Sequence, residues 1–115
     1  MSRLPLFVYG SLKRSGQHHA ELKGARFLGE ASTVPGFALE NVGQYRALVP
    51  APGSSGRVDG ELFAVNPALI SALDEFEGDA YFRGEIALAK PVVMRAAEAD
   101  AEKFEVALAY FKKAR

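Results

Sequence analysis

A carboxylate stands where the sequence calls for an apolar side chain. Pro67 to Glu77 reads as a helix, and at roughly 100° per residue Leu69, Ile70, Leu73 and Phe76 share one arc, the face that should be buried. Glu77 falls inside that arc, one helical turn beyond Leu73. A carboxyl group among apolar side chains has its ionised form disfavoured, so its pKa rises toward the range where it takes and returns a proton near neutral pH. That is the profile of a general acid/base. The alternative is a helix that stops at Phe76, with Glu77 reaching solvent or pairing with Arg83. Asp74 and Glu75 fall outside the arc and are expected to face water.

The second stretch is Leu6-Phe7-Val8-Tyr9-Gly10-Ser11-Leu12, an apolar strand signal that runs into a glycine turn. Gly10 lets the backbone turn and approach a small molecule with no Cβ in the way. Backbone N–H groups of Gly10, Ser11 and Leu12 are then candidates for holding an anionic or carbonyl oxygen, and the reactive group must come from elsewhere in the chain.

Other constellations are weaker. Gly10 to Gly16 after a strand invites a phosphate-loop reading, but Gln17 follows where Lys and Ser or Thr are needed. Ser11 lacks the flanking residues of a hydrolase nucleophile. His18 and His19 are adjacent in a polar loop with no further ligand pattern, so they read as exposed histidines and no metal site is expected. Lys13 and Arg14 either steer an anionic substrate or are simply solvated. Tyr45 and Tyr110 read as partly buried structural tyrosines, while Tyr81, close after Glu77, either lines a pocket or packs on a sheet.

These residues must be positioned by a small fold. At 115 residues the chain is expected to form one domain over 1–115, with a single core. Fourteen Lys and Arg balance fourteen Asp and Glu, so no whole-molecule field attracts nucleic acid or an acidic membrane. The chain has no cysteine, which excludes disulfides and thiolate catalysis and fits a reducing compartment. No apolar run has the length of a membrane helix and no signal-peptide pattern opens the chain, so a cytoplasmic protein is expected.

Short strands are expected at Phe7 to Tyr9, Ala25 to Ala31, Phe37 to Glu40, Ala47 to Val49, Val58 to Val65 and Tyr81 to Leu88, with one helical turn around His19 to Lys23. In the fifth, Val58 and Leu62 share one face, and Glu61, Phe63 and Val65 the other. Asn66 and Pro67 start the one good helix, as cap and first residue, and Gly78 is placed to end it. Pro91 to Met94 extends or follows the sixth strand. Ala96 to Lys103 is rich in helix formers, while Phe104, Val106, Leu108 and Tyr110 alternate as in a strand, and a turn followed by a final strand is favoured. Several short strands around one helix indicate an α+β domain with a small, largely antiparallel sheet or barrel.

Phe7-Val8-Tyr9-Gly10-Ser11-Leu12, Val58-Asp59-Gly60-Glu61-Leu62-Phe63, and Leu73-Asp74-Glu75-Phe76-Glu77-Gly78 followed by Tyr81-Phe82-Arg83 together resemble the gamma-glutamylcyclotransferase-like family. The resemblance covers nearly the whole chain and is greatest to the gamma-glutamylamine cyclotransferase branch, where Lys-Arg follows the turn, as Lys13-Arg14 does here. It implies a small mixed β-barrel flanked by short helices, with a cavity between Tyr9 to Leu12 and the acidic motif. It also implies that Glu77 is the general acid/base, which favours its core-facing placement. The implied reaction releases 5-oxoproline from a small gamma-glutamyl substrate and requires no cofactor and no metal. Tyr9, Gly10, Ser11, Leu12 and Tyr81 are the implied substrate-binding residues. The competing expectation is a non-catalytic module that binds an amino-acid-like ligand in the same cavity.

Overall fold

The computed structural model describes residues 5–10, 12–14, 16–42, 45–89 and 105–113. In chain order the elements are β1 (Leu6–Val8), a 3-10 turn (His19–Leu22), β2 (Phe27–Ser32), β3 (Phe37–Val42), β4 (Tyr45–Pro50), β5 (Asp59–Phe63), α1 (Pro67–Glu77), β6 (Tyr81–Ala87) and β7 (Val106–Lys112). The expected final strand is β7, and the expectations for Pro91 to Met94 and Ala96 to Lys103 lie outside the described residues. Among the described residues no helix is long and apolar enough to cross a membrane.

The strands form one sheet in the order β2-β5-β1-β7-β4-β3, with β6 also on β7. Most pairings are antiparallel; β1 and β4 run parallel to β7. This is the small mixed, largely antiparallel α+β architecture. β2 bends at Gly29, where its register against β5 shifts and φ reaches +151°. The sheet curls until the ends of β2 and β6 meet at a bridge between Thr33 and Leu88. Thr33 is fully buried, and its hydroxyl accepts from the Val58 N–H at 3.0 Å, so the closure leaves no polar atom of that side chain stranded.

Strand alternation sorts the apolar residues into two cores. Phe7, Leu62, Ala107, Ala109 and Phe111 face the inside of the curl, together with Leu28, Leu48, Val58 and Ile86. Leu6, Val8, Phe63 and Tyr110 face the other way, onto Leu22, Leu69 and Leu73 of the two helical segments. Strands β1, β5 and β7 are therefore covered on both faces, and the two-faced reading of Val58 to Val65 corresponds to this division.

Gly60 on β5 sits where β1 presses against it. A Cβ there would come within 2.7 Å of the Phe7 ring and closer still to the Val8 carbonyl oxygen. Glycine is thus required by close approach of the neighbouring strand, not by a turn. Gly60→Ala is expected to cost about 1–3 kcal/mol through overpacking, read as a lowered midpoint in denaturant unfolding. An unchanged midpoint would mean that β1 does not lie against β5 in this register.

Candidate active site

One strand sets up the site. β6 occupies the whole of one edge of β7, from Ala87 opposite Val106 to Tyr81 opposite Lys112. The other edge is shared: Leu6 of β1 pairs with Leu108, and Leu48 of β4 pairs with Phe111. Between them the ladder would be broken, and Tyr9, just past β1, fills the break. Its hydroxyl donates to the Tyr110 carbonyl at 2.7 Å and accepts from the Leu48 N–H at 3.2 Å. Burial, partly countered by the Leu48 hydrogen bond and reinforced by the charge of Glu77, raises the Tyr9 pKa well above that of a free tyrosine. The group stays a neutral donor and acceptor.

At this break lies a cavity of about 270 Å³, lined among the described residues by Phe7, Val8, Tyr9, Gly10, Leu12, His18, Arg46, Phe76, Glu77, Tyr81 and Tyr110. Glu77 reaches it through the end of α1. Asn66 caps the helix start by accepting from the Leu69 N–H at 2.8 Å, and Leu69 and Leu73 bury against β1, β5 and β7. One turn after Leu73, the last helical residue points past the edge of that core into the cavity. Gly78 then ends the helix at φ +75°, ψ −168°, a conformation that disfavours any side chain, while its N–H donates to the Asp74 carbonyl.

Glu77 is half-buried, and burial raises its pKa above that of an ordinary glutamate. It does not pair with Arg83. That arginine pairs with Asp74 instead, and Asp74 also accepts from the Tyr110 hydroxyl at 2.6 Å. Asp74 is thus exposed, as expected, yet it ties α1 to β6 and β7 one turn before Glu77. Desolvation raises its pKa, but the bonds from Tyr110 and Arg83 outweigh that and leave it below the usual carboxylate value.

Of the residues expected in the site, Tyr9, Gly10, Leu12, Glu77 and Tyr81 line the one cavity, and Ser11 lies outside the described residues. A Cβ on Gly10 would meet no protein atom within 4 Å, so packing does not demand glycine there. Burial first, and then the charge of Glu77, raises the Tyr81 pKa. Phe76 is a correction: it is 39% exposed rather than buried, because its part of the helix face looks into the cavity, where its ring meets His18 edge-on at 5.2 Å.

His18 and Arg46 were not expected in the cavity. Arg46 carried no local signal at all. His19 is structural, donating from Nδ1 to the Leu12 carbonyl at 2.9 Å. Arg14 lies over the Phe27 ring and pairs with Glu61 and Glu30, so its charge is held on the outer side of β2 and β5 rather than in the cavity. Tyr110, expected to be partly buried, is almost fully buried and also lines the cavity; the side chain of Tyr45 lies outside the described residues.

Residues 6–114 match the family model described as gamma-glutamyl cyclotransferase, AIG2-like. The chain is similar to the gamma-glutamylaminecyclotransferases of Bos taurus, with 38% identity over 74% of this chain and 56% of that protein, and of Homo sapiens, with 34% identity over 63% and 52%. It spans little more than half the length of these relatives. The fold is also that of an AIG2-like protein from Mus musculus (TM-score 0.72, 24% identity, 99% of this chain and 79% of that one) and of a protein specific to uropathogenic E. coli (TM-score 0.77, 20% identity, 98% and 81%).

Two stability measurements test the site's construction. Tyr9→Phe strands a buried carbonyl and a buried N–H and is expected to cost about 1–3 kcal/mol in denaturant unfolding. A neutral effect would mean the hydroxyl does not bridge the strands. For Glu77, the folded state holds the proton more tightly than the unfolded chain. Its contribution is therefore full below the ordinary carboxylate pKa and lost as pH rises through the raised folded-state value. Glu77→Gln cannot ionise, so its melting temperature relative to wild type is expected to increase between about pH 4 and pH 7. A constant difference across that range would place the carboxylate in solvent.

Proposed function

Because the chain belongs to the gamma-glutamyl cyclotransferase, AIG2-like family, we propose that it converts a small gamma-glutamyl amide or peptide to 5-oxoproline and a free amine. Glu77 is the general acid/base. The observation that carries this reading is a half-buried carboxylate of raised pKa sharing a cavity with the turn at Gly10.

The substrate brings its own nucleophile. Its α-amine is protonated at neutral pH, and the Glu77 carboxylate removes that proton. The freed nitrogen attacks the γ-carbonyl carbon of the same molecule, forming the ring C–N bond and placing negative charge on the carbonyl oxygen. Backbone N–H groups of the Gly10 to Leu12 turn, including Ser11, are assigned to substrate oxygens there, a type of contact worth about 10²–10³ in rate per donor. As the bond to the leaving nitrogen breaks, Glu77 returns its proton to the departing amine. The ring nitrogen also gives up its second proton to solvent as the lactam forms, and the released amine takes one up to leave as its ammonium form, so the protons balance with no group beyond substrate, water and one carboxyl.

Ring closure within one molecule needs mainly the folded-back conformer, which a small cavity selects. Tyr9 and Tyr81 supply that shape: Tyr9 as a fixed wall, Tyr81 as the side that closes over the substrate next to Glu77.

The test is 5-oxoproline release from a panel of gamma-glutamyl amines and dipeptides. Glu77→Gln is expected to lower kcat/KM by about 10²–10⁴ on every member that wild type turns over. In wild type, kcat/KM should fall as pH drops through the raised Glu77 value, because the base becomes protonated. Release by Glu77→Gln at the wild-type rate would remove Glu77 from this role.

A further inference from the structure

The cavity holds a second charge, of opposite sign to Glu77, which the proposed proton transfers do not use. Arg46 lies on β4 opposite Asn41 of β3 and lines the same cavity as Glu77. It shares a strand face with Leu48, roughly 7 Å further along β4. Leu48 is fully buried, and its N–H meets the Tyr9 hydroxyl at the broken ladder, whereas Arg46 is exposed. The line from Leu48 to Arg46 therefore runs from the core to the mouth of the cavity.

The guanidinium has no acid to neutralise it among the described residues. Arg14 pairs with Glu61 and Glu30, Arg83 with Asp74, and Lys112 with Glu40, while Arg46 makes no such pair. A planar donor group at a cavity mouth, in no ion pair with a carboxylate among the described residues, is suited to a carboxylate on the ligand.

The proposed reaction fixes which carboxylate that is. The α-amine must meet Glu77 on the half-buried side, and the glutamyl α-carboxylate sits on the same carbon as that amine. The amide nitrogen and whatever it carries leave by the mouth. We propose that Arg46 binds a carboxylate on the leaving amine, so that the preferred substrate class is gamma-glutamyl amino acids and peptides rather than gamma-glutamyl alkylamines. The inference rests on the cyclotransferase reading for the orientation of the ligand.

The test compares two ligands of the same shape, gamma-glutamylalanine and gamma-glutamylalaninamide, which differ in that one charge. Dissociation constants are measured by calorimetry on Glu77→Gln, which keeps the ligands intact, and on Glu77→Gln/Arg46→Gln. The acid is expected to bind about 10-fold tighter than the amide to the first protein, as a charge-assisted hydrogen bond gives. In the second protein the ratio should fall to about one. Equal affinities in the first protein, no binding of either ligand, or a ratio that survives Arg46→Gln would each overturn the proposal. So would an equal loss for both ligands on Arg46→Gln, which would put the guanidinium on the glutamyl carboxylate. Since no turnover is measured, absence of 5-oxoproline release from wild type with the binding ratio intact would sink the cyclotransferase reading and leave Arg46 as a carboxylate-binding residue.

Discussion

A β-strand has two hydrogen-bonding edges, and β7 has three neighbours. β6 takes one edge throughout, so β1 and β4 must divide the other, and the place where one strand leaves and the next begins has backbone groups with no strand to meet. The Tyr9 hydroxyl fills that place, accepting from Leu48 and donating to Tyr110. A side chain can do this only if the main chain has already turned away from the ladder, which Tyr9 and Gly10 achieve immediately after β1. The same divergence that would weaken the sheet opens the cavity. Fold and site thus depend on one hydroxyl group.

Glu77 is held by a different constraint. Its direction follows from Leu69 and Leu73, which bury on the sheet, and from Asp74, which is tied to Tyr110 and Arg83. A helix anchored one turn before its end has little freedom at its end. Gly78 then removes the chain from the helical path at once, so that no following turn covers the carboxylate. Burial disfavours the ionised form, a cost that a purely structural glutamate would have no reason to bear.

Much of this was legible in local sequence. Asn66-Pro67 and Gly78 mark both ends of α1 at the observed residues, because caps are chemical signals carried by single side chains. The faces of β5 follow from alternation, and the arc containing Glu77 follows from helical period. Phe76 shows the limit of such patterns: period reports that a residue faces inward, and a cavity wall and a packed core are both inward. Arg46 enters the site on a hairpin strand placed by β7, and His18 on a loop that meets Phe76 of α1, both far away in sequence. The bond between Tyr110 and Asp74 joins residues 36 apart in sequence, and nothing local to either one announces it. The need for Gly60 likewise comes from Phe7 and Val8 on another strand, so the sequence motif carries the residue without its reason.

The electrostatics of the cavity follow from which groups can be charged together. Burial, reinforced by the negative charge of Glu77, raises the pKa of both Tyr9 and Tyr81, so these hydroxyls remain neutral and offer dipoles rather than competing charges. A carboxylate of raised pKa flanked by these neutral hydroxyls is stabilised as an anion by a cation that comes against it. In the proposed reaction that cation is the ammonium group of the substrate, whose arrival favours the ionised form of Glu77 at the moment when a base is needed. Once the proton has moved, both partners are neutral in a partly dry site. The carboxyl group then holds a proton that its surroundings do not oppose, and the departing amine is the group basic enough to take it. Half-burial therefore suits both steps: full exposure would leave Glu77 a weak base with an ordinary pKa, and full burial would keep it protonated before the substrate arrived.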